Sequence, residues 1–105
     1  MTYQNIILEH AEAGIYVLTV NRPQALNALN AATLDELANA IARVAADAAA
    51  RVPLVTGAGD KAFVAGADIA AMQPMTALEA QAFSAKGQGV MLAIEALPVP
   101  AIALV

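Results

Sequence analysis

The sequence predicts a mixed α/β fold, and three observations carry that expectation. Two β-rich runs, Ile6–His10 and Ile15–Val20, are separated only by Ala11-Glu12-Ala13-Gly14. A stripe at helical spacing follows in Leu34, Leu37, Ile41 and Val44. Leu54-Val55 then reads as a buried strand that runs through glycine-rich turns and enters a helix near Asp68. The resulting order suits ββα units, with parallel strands on either side of the glycine-rich loop. Strands are expected at 6–10, 15–20, 52–55 and 101–105, with helices starting near Ala31 and Thr76.

In chain order, the first two runs make a hairpin with a short glycine-containing loop. Ile15, Val17 and Thr19 share one face of the second strand and Tyr16, Leu18 and Val20 the other, so both faces are expected to be covered. His10 is placed at the turn, facing solvent. Pro23 ends the second strand, because it cannot donate to a ladder and holds Arg22 extended. On residue type alone Arg22 is a solvated loop arginine. Asn30 is a good N-cap for the helix that carries the apolar stripe. Asp35 and Glu36 near its start, and Arg43 later, agree with the helix dipole.

Pro53 argues against a central strand, since it removes one ladder N–H. Three outcomes accommodate it: a bulge, a shortened strand, or an N–H position facing away from any neighbour. If a ladder bond is lost, Pro53→Val stabilises the protein by roughly 0.5–1.5 kcal/mol. Ala70-Ala71-Met72 continues a short helix, and Pro74 breaks it. Thr76 with Glu79 forms a T-x-x-E capping box opening a further helix, whose apolar face is Phe83, Gly87, Val90, Ile94 and Leu97. Pro98 and Pro100 stop that helix ahead of the final strand.

The 105 residues suffice for one small domain with a core and are too few for two. A net charge of −4 and a pI near 4.6 argue against nucleic acid or an anionic membrane as partner. With no cysteine, disulfides and thiol nucleophiles are excluded, and with one histidine no metal site is expected. The N-terminal residues lack a basic region followed by an apolar core, so no signal peptide is expected, and no apolar run is long enough for a membrane span. A cytoplasmic protein is the default expectation.

Obvious side-chain chemistry is scarce in Thr56–Ile69, so chemistry there falls to main-chain N–H groups. Amides exposed at a helix start suit a developing negative charge. Thr56-Gly57-Ala58-Gly59-Asp60-Lys61-Ala62-Phe63, followed by Ala65-Gly66-Ala67-Asp68-Ile69, resembles the signature loop of the crotonase (enoyl-CoA hydratase) superfamily. Asn21-Arg22-Pro23, followed by Ala25-Leu26-Asn27-Ala28-Leu29, is similar to that superfamily's other N-terminal motif. The similarity covers the whole chain. It implies the N-terminal part of a crotonase-like ββα spiral: one domain portion, residues 1–105, ending before the second oxyanion-hole glycine turn.

The resemblance also implies the chemistry, which is hydration of an enoyl-CoA. Ala67 would supply one oxyanion N–H. Leu26 and Ala28 would lie beside the adenosine end of coenzyme A, Ala65, Asp68 and Ile69 would line its path, Lys61 would approach its phosphates, and Ala70 would border the same site. Gln24 and Ala70 stand where relatives often carry lysine, which removes favourable contacts. Coenzyme A belongs to the substrate, so no separate cofactor is implied. Glu9, Glu12, Glu36 and Glu79 match neither catalytic glutamate of the superfamily, so the isolated chain is expected to be inactive. A homo-oligomer, trimer or hexamer, is implied for the full-length protein.

Three other readings compete. An enoyl-CoA isomerase or another acyl-CoA enzyme would share both motifs. Gly57-x-Gly59-x-x-Ala62 formally fits a dinucleotide fingerprint, but Ala65-Gly66 interrupts the helix that fingerprint requires. A non-catalytic truncated domain would associate with other subunits through alanine-rich surfaces.

Overall fold

The computed structural model describes residues 2–105. Its centre is one four-stranded sheet in the order β1-β2-β3-β4: β1 is Ile6–Glu12, β2 Ile15–Val20, β3 Val52–Gly57 and β4 Ile102–Leu104. β1 and β2 form the expected antiparallel hairpin, with Leu8 opposite Leu18. β2 and β3 are parallel, with Leu18 opposite Val55, and β3 and β4 are parallel, with Val55 opposite Ala103. Parallel neighbours need a crossover. Helix α1, Ala31–Ala46, makes the first, and α2 (Ile69–Met72) and α3 (Ala77–Glu95) lie on the second.

α1 is built as its sequence prescribes. The Asn30 side chain accepts hydrogen bonds from the Thr33 N–H at 2.9 Å and the Thr33 hydroxyl at 2.6 Å. Leu34, Leu37, Ile41 and Val44 are all buried, and all but Val44 join one cluster with Ile6, Leu18 and Val20 of the sheet. α3 opens with the expected capping box: Glu79 N–H donates to the Thr76 hydroxyl, and Thr76 N–H to the Glu79 carboxylate. Phe83 and Val90 reach the cluster from that helix, with Ile94 and Leu97 at its edge.

Several expectations need correction. β1 runs to Glu12, so His10, exposed as expected, lies within the strand and not at the turn; it stacks on the Tyr16 ring at 4.5 Å and accepts a hydrogen bond from the Gly14 N–H. β3 runs on to Gly57, and β4 is shorter than 101–105 at both ends. β2 is covered unevenly: Leu18 and Val20 are buried, whereas Tyr16 on their face and Ile15, Val17 and Thr19 on the other are half-buried. Neither Asp35 nor Glu36 acts as a dipole charge, since both lie beyond the first turn. Asp35 pairs with Lys86 at 2.7 Å, and Glu36 is buried, its carboxylate accepting from the Gln4 and Asn5 N–H groups and the Asn5 side chain, which fastens residues 4–5 to α1.

Pro53 sits within β3 opposite Tyr16, without a bulge. The N–H groups of Val52 and Ala58 point toward β2, donating to Gly14 and Val20. Alternation along the strand therefore aims the odd positions at β4. Pairing with β4 starts only at Leu54. The missing N–H thus faces the side where no ladder has yet begun, the third of the outcomes proline allowed.

Candidate functional site

The glycine-rich segment after β3 lies against the loop after β2, and the contact is made by main chain. The 3₁₀ turn Pro23–Ala25 ends in two consecutive left-handed residues, Leu26 at φ 53° and Asn27 at φ 58°. Asparagine tolerates that region and leucine does not, so Leu26 carries local strain. The turn swings residues 26–29 alongside residues 65–68. Ala65 N–H donates to Leu26 O at 3.1 Å, Leu29 N–H to Gly66 O at 2.8 Å, and Asp68 N–H to Leu29 O at 2.8 Å. Leu29 and Ala67 thereby form a single parallel bridge. The two segments together form a clasp.

The bridge decides where the Ala67 amide points. Its N–H shares a planar trans peptide with Gly66 C=O, and the two groups point in opposite directions. Gly66 C=O is turned toward Leu29, so the Ala67 N–H is turned away from it. Among the described residues no backbone or side-chain acceptor takes that N–H, and Ala67 is exposed. Gly66 reaches this geometry at φ 110°, which only glycine adopts without strain. Beside the amide runs an apolar groove of about 280 Å³, lined by Leu29, Leu34, Gly66, Ala67 and the Phe83–Met91 stretch of α3. An exposed N–H at the rim of an apolar groove is suited to a carbonyl oxygen that gains negative charge.

Two polar side chains hold the clasp, and neither is legible as such from composition. Asn27 is 1% exposed. Its amide nitrogen donates to Ala58 O at 2.9 Å and Ala62 O at 2.8 Å, and its oxygen accepts from Arg22 N–H at 2.9 Å. The glycine-rich loop closes around it so tightly that a Cβ on Gly57 would stand 2.0 Å from Phe63 O and 2.8 Å from the Asn27 amide nitrogen. Arg22 is not solvated. Its Nη1 donates to Ala28 O, and both its terminal nitrogens lie 3.2 Å from Asp68 Oδ2.

Asp68 also caps α2, accepting the Ala71 N–H at 3.2 Å, which matches its reading as an N-cap. That amide is the main reason its carboxyl lies below the usual range; burial opposes the shift, and the Arg22 hydrogen bond and charge add to it.

The residues expected at the site fall into groups. Leu26, Ala28, Ala65, Ala67 and Asp68 come together through the clasp. Lys61 is exposed and joins Pro23, Leu26 and Asn27 around a second depression of about 200 Å³. Ile69 and Ala70 stand exposed on α2. The glutamates lie elsewhere: Glu9 and Glu12 on β1, Glu36 under the N-terminus, Glu79 in its capping box and Glu95 at the end of α3, and none lines the groove at Ala67. Among the described residues no group of three or more His, Asp or Glu side chains is placed to hold a metal ion.

Comparison with known proteins gives the arrangement a family. Residues 10–105 match the enoyl-CoA hydratase/isomerase family. The chain is 52% identical over its whole length to a crotonyl-CoA hydratase of Syntrophomonas wolfei and 44% identical to a short-chain-enoyl-CoA hydratase of Clostridium acetobutylicum. It spans 40% of the length of each of those relatives. Among solved structures, an enoyl-CoA hydratase from Bacillus anthracis superposes with a TM-score of 0.92 at 35% identity, covering 95% of this chain and 39% of that one. An enoyl-CoA hydratase from Mycobacterium smegmatis gives 0.91 at 37% identity, over 96% of this chain and 39% of that one. With both motifs folded onto each other in the crotonase manner, the chain belongs to the enoyl-CoA hydratase/isomerase family.

Proposed function

We propose that this chain is the N-terminal part of an enoyl-CoA hydratase, which adds water across the 2,3 double bond of a trans-2-enoyl-CoA to give the 3-hydroxyacyl-CoA. The observation that carries the reading is the unengaged Ala67 N–H, aimed out of the clasp at the rim of an apolar groove. Water attacks C3 as it gives a proton to a general base supplied outside residues 1–105, electrons move toward the thioester carbonyl, and the carbonyl oxygen becomes enolate-like. The Ala67 N–H stabilises that oxygen, and C2 takes a proton when the enolate collapses. The apolar groove accepts the acyl chain. Leu26, Ala28, Ala65, Asp68, Ile69 and Ala70 border the coenzyme A path, with Lys61 near its phosphates.

In this reading the second oxyanion donor and both acid–base glutamates lie outside residues 1–105, which form one portion of a single domain. Coenzyme A enters as part of the substrate and no separate cofactor is used. The full-length protein works in the cytoplasm as a homo-oligomer, a trimer or hexamer. The names borne by the similar proteins support the hydratase reading, and the engagement of the Glu36 and Glu79 carboxylates in structural hydrogen bonds supports placing the acid–base groups elsewhere.

The test is to replace the Ala67 peptide link with an ester in the full-length protein, deleting the N–H and nothing else. Loss of one oxyanion donor lowers turnover of a trans-2-enoyl-CoA by about 10²–10³. Full activity in the ester form, or hydration by residues 1–105 alone, overturns the mechanism. A product with a shifted double bond in place of a hydroxyl group would assign an isomerase.

A further inference from the structure

The side chain of Arg22 is tied to the Ala67 amide through two peptide groups in series. Arg22 Nη1 donates to Ala28 C=O. That carbonyl shares its peptide plane with the Leu29 N–H, which points the opposite way and donates to Gly66 C=O at 2.8 Å. Gly66 C=O in turn shares its plane with the Ala67 N–H. The guanidinium thus stands at the closed end of a row of aligned dipoles, and the unengaged N–H stands at the open end. The same guanidinium holds the other arm of the clasp through Asp68 Oδ2, immediately after Ala67. With side chains only 14% and 17% exposed, Arg22 and Asp68 are shielded from water, where such contacts hold geometry best.

We propose that Arg22 is a positioning residue for the oxyanion donor: it fixes both arms of the clasp and, through the Ala28–Leu29 and Gly66–Ala67 peptides, aims and polarises the Ala67 N–H. The inference rests on the role given to Ala67 above. A cation at the head of a hydrogen-bonded row strengthens each bond down the row, by roughly 10–30% per bond. Asp68 offsets part of the positive charge, so aim contributes more than polarisation. A donor displaced by about 1 Å costs on the order of 10²-fold in rate. Loss of Arg22 therefore lowers turnover while the core under β2 and α1 stays packed.

The experiment uses the full-length protein with Arg22→Gln and Arg22→Lys, crotonyl-CoA as probe, and three readouts. Arg22→Gln is expected to lower kcat by about 10- to 100-fold with a smaller change in KM, and Arg22→Lys to recover part of the loss. The infrared carbonyl stretch of bound crotonyl-CoA should move toward its free value in Arg22→Gln and less so in Arg22→Lys. The ¹⁵N order parameter of the Ala67 amide, read without substrate, should fall in Arg22→Gln. A folded Arg22→Gln protein with wild-type kcat, or with an unchanged carbonyl stretch and Ala67 order parameter, overturns the proposal. If the wild-type protein does not turn over crotonyl-CoA, the functional reading is what fails, and the order parameter still decides whether Arg22 positions the amide.

Discussion

Leu18 and Asn27 are both sealed from solvent, at 0% and 1% exposure, but they hold their neighbourhoods by different means. Leu18 lies in the middle of β2 under α1, among Leu34, Leu37 and Ile41, where apolar area removed from water supplies the stabilisation and direction matters little. Asn27 lies in the clasp, where three hydrogen bonds to three backbone groups supply it and direction is everything. The core tolerates small shifts of a side chain; the clasp does not, because a rotated carboxamide loses all three bonds together. The proposed oxyanion site, which relies on an accurately aimed N–H, is built on the second kind of neighbourhood. The first kind is the platform beneath it.

Four outcomes sharpen or break that contrast, from the largest effect down. In the full-length protein Leu18→Ala should cost about 3 kcal/mol in denaturant melts, with the proposed turnover unchanged in the molecules that remain folded. A large loss of turnover in molecules that are still folded would mean core and clasp are not separable. Asn27→Ala should cost about 2 kcal/mol, since it strands Ala58 O, Ala62 O and the Arg22 N–H. Asn27→Gly accepts the positive φ and so isolates the hydrogen-bond part of that loss. If Asn27→Gly melts like the wild type, the carboxamide is not what holds the loop.

The third outcome concerns pH. The Asp68 carboxyl is depressed in the folded protein, so its contribution is fully present above its unfolded value, about 3.9, and is lost as pH falls through the lower folded value. Carboxyl ¹³C titration should find Asp68 below the ordinary range. Arg22→Ala should move it only part of the way back, because the Ala71 N–H remains as the larger cause. A full return would make Arg22, and not the cap, the main partner. The smallest effect is expected at Pro53→Val. With the missing N–H aimed past the start of β4, no ladder bond is regained, and melts should shift by less than about 0.5 kcal/mol. Stabilisation above that would show that β4 extends further toward its N-terminus in solution.

Much of this molecule follows from local rules. Asn30, Thr76 with Glu79, and the stripe Leu34–Val44 determine where α1 and α3 begin and which face α1 buries, because capping and helical periodicity act within a few residues. Spacing in the two motifs, together with their resemblance to known loops, was enough to name the segment that holds Ala67. Local rules do not reach between Arg22 and Asp68, or between Asn27 and Ala62, because those partners lie tens of positions apart and meet only after β2 and β3 pair in parallel. In sequence Asn27 is only one member of a motif, and Arg22, before a proline, reads as a solvated arginine. Glu36 reads as a helix charge until the N-terminus folds across it. Tertiary structure decided these three roles, and with them the direction of the Ala67 N–H, because a polar side chain has no fixed meaning until its partners are brought within hydrogen-bond reach.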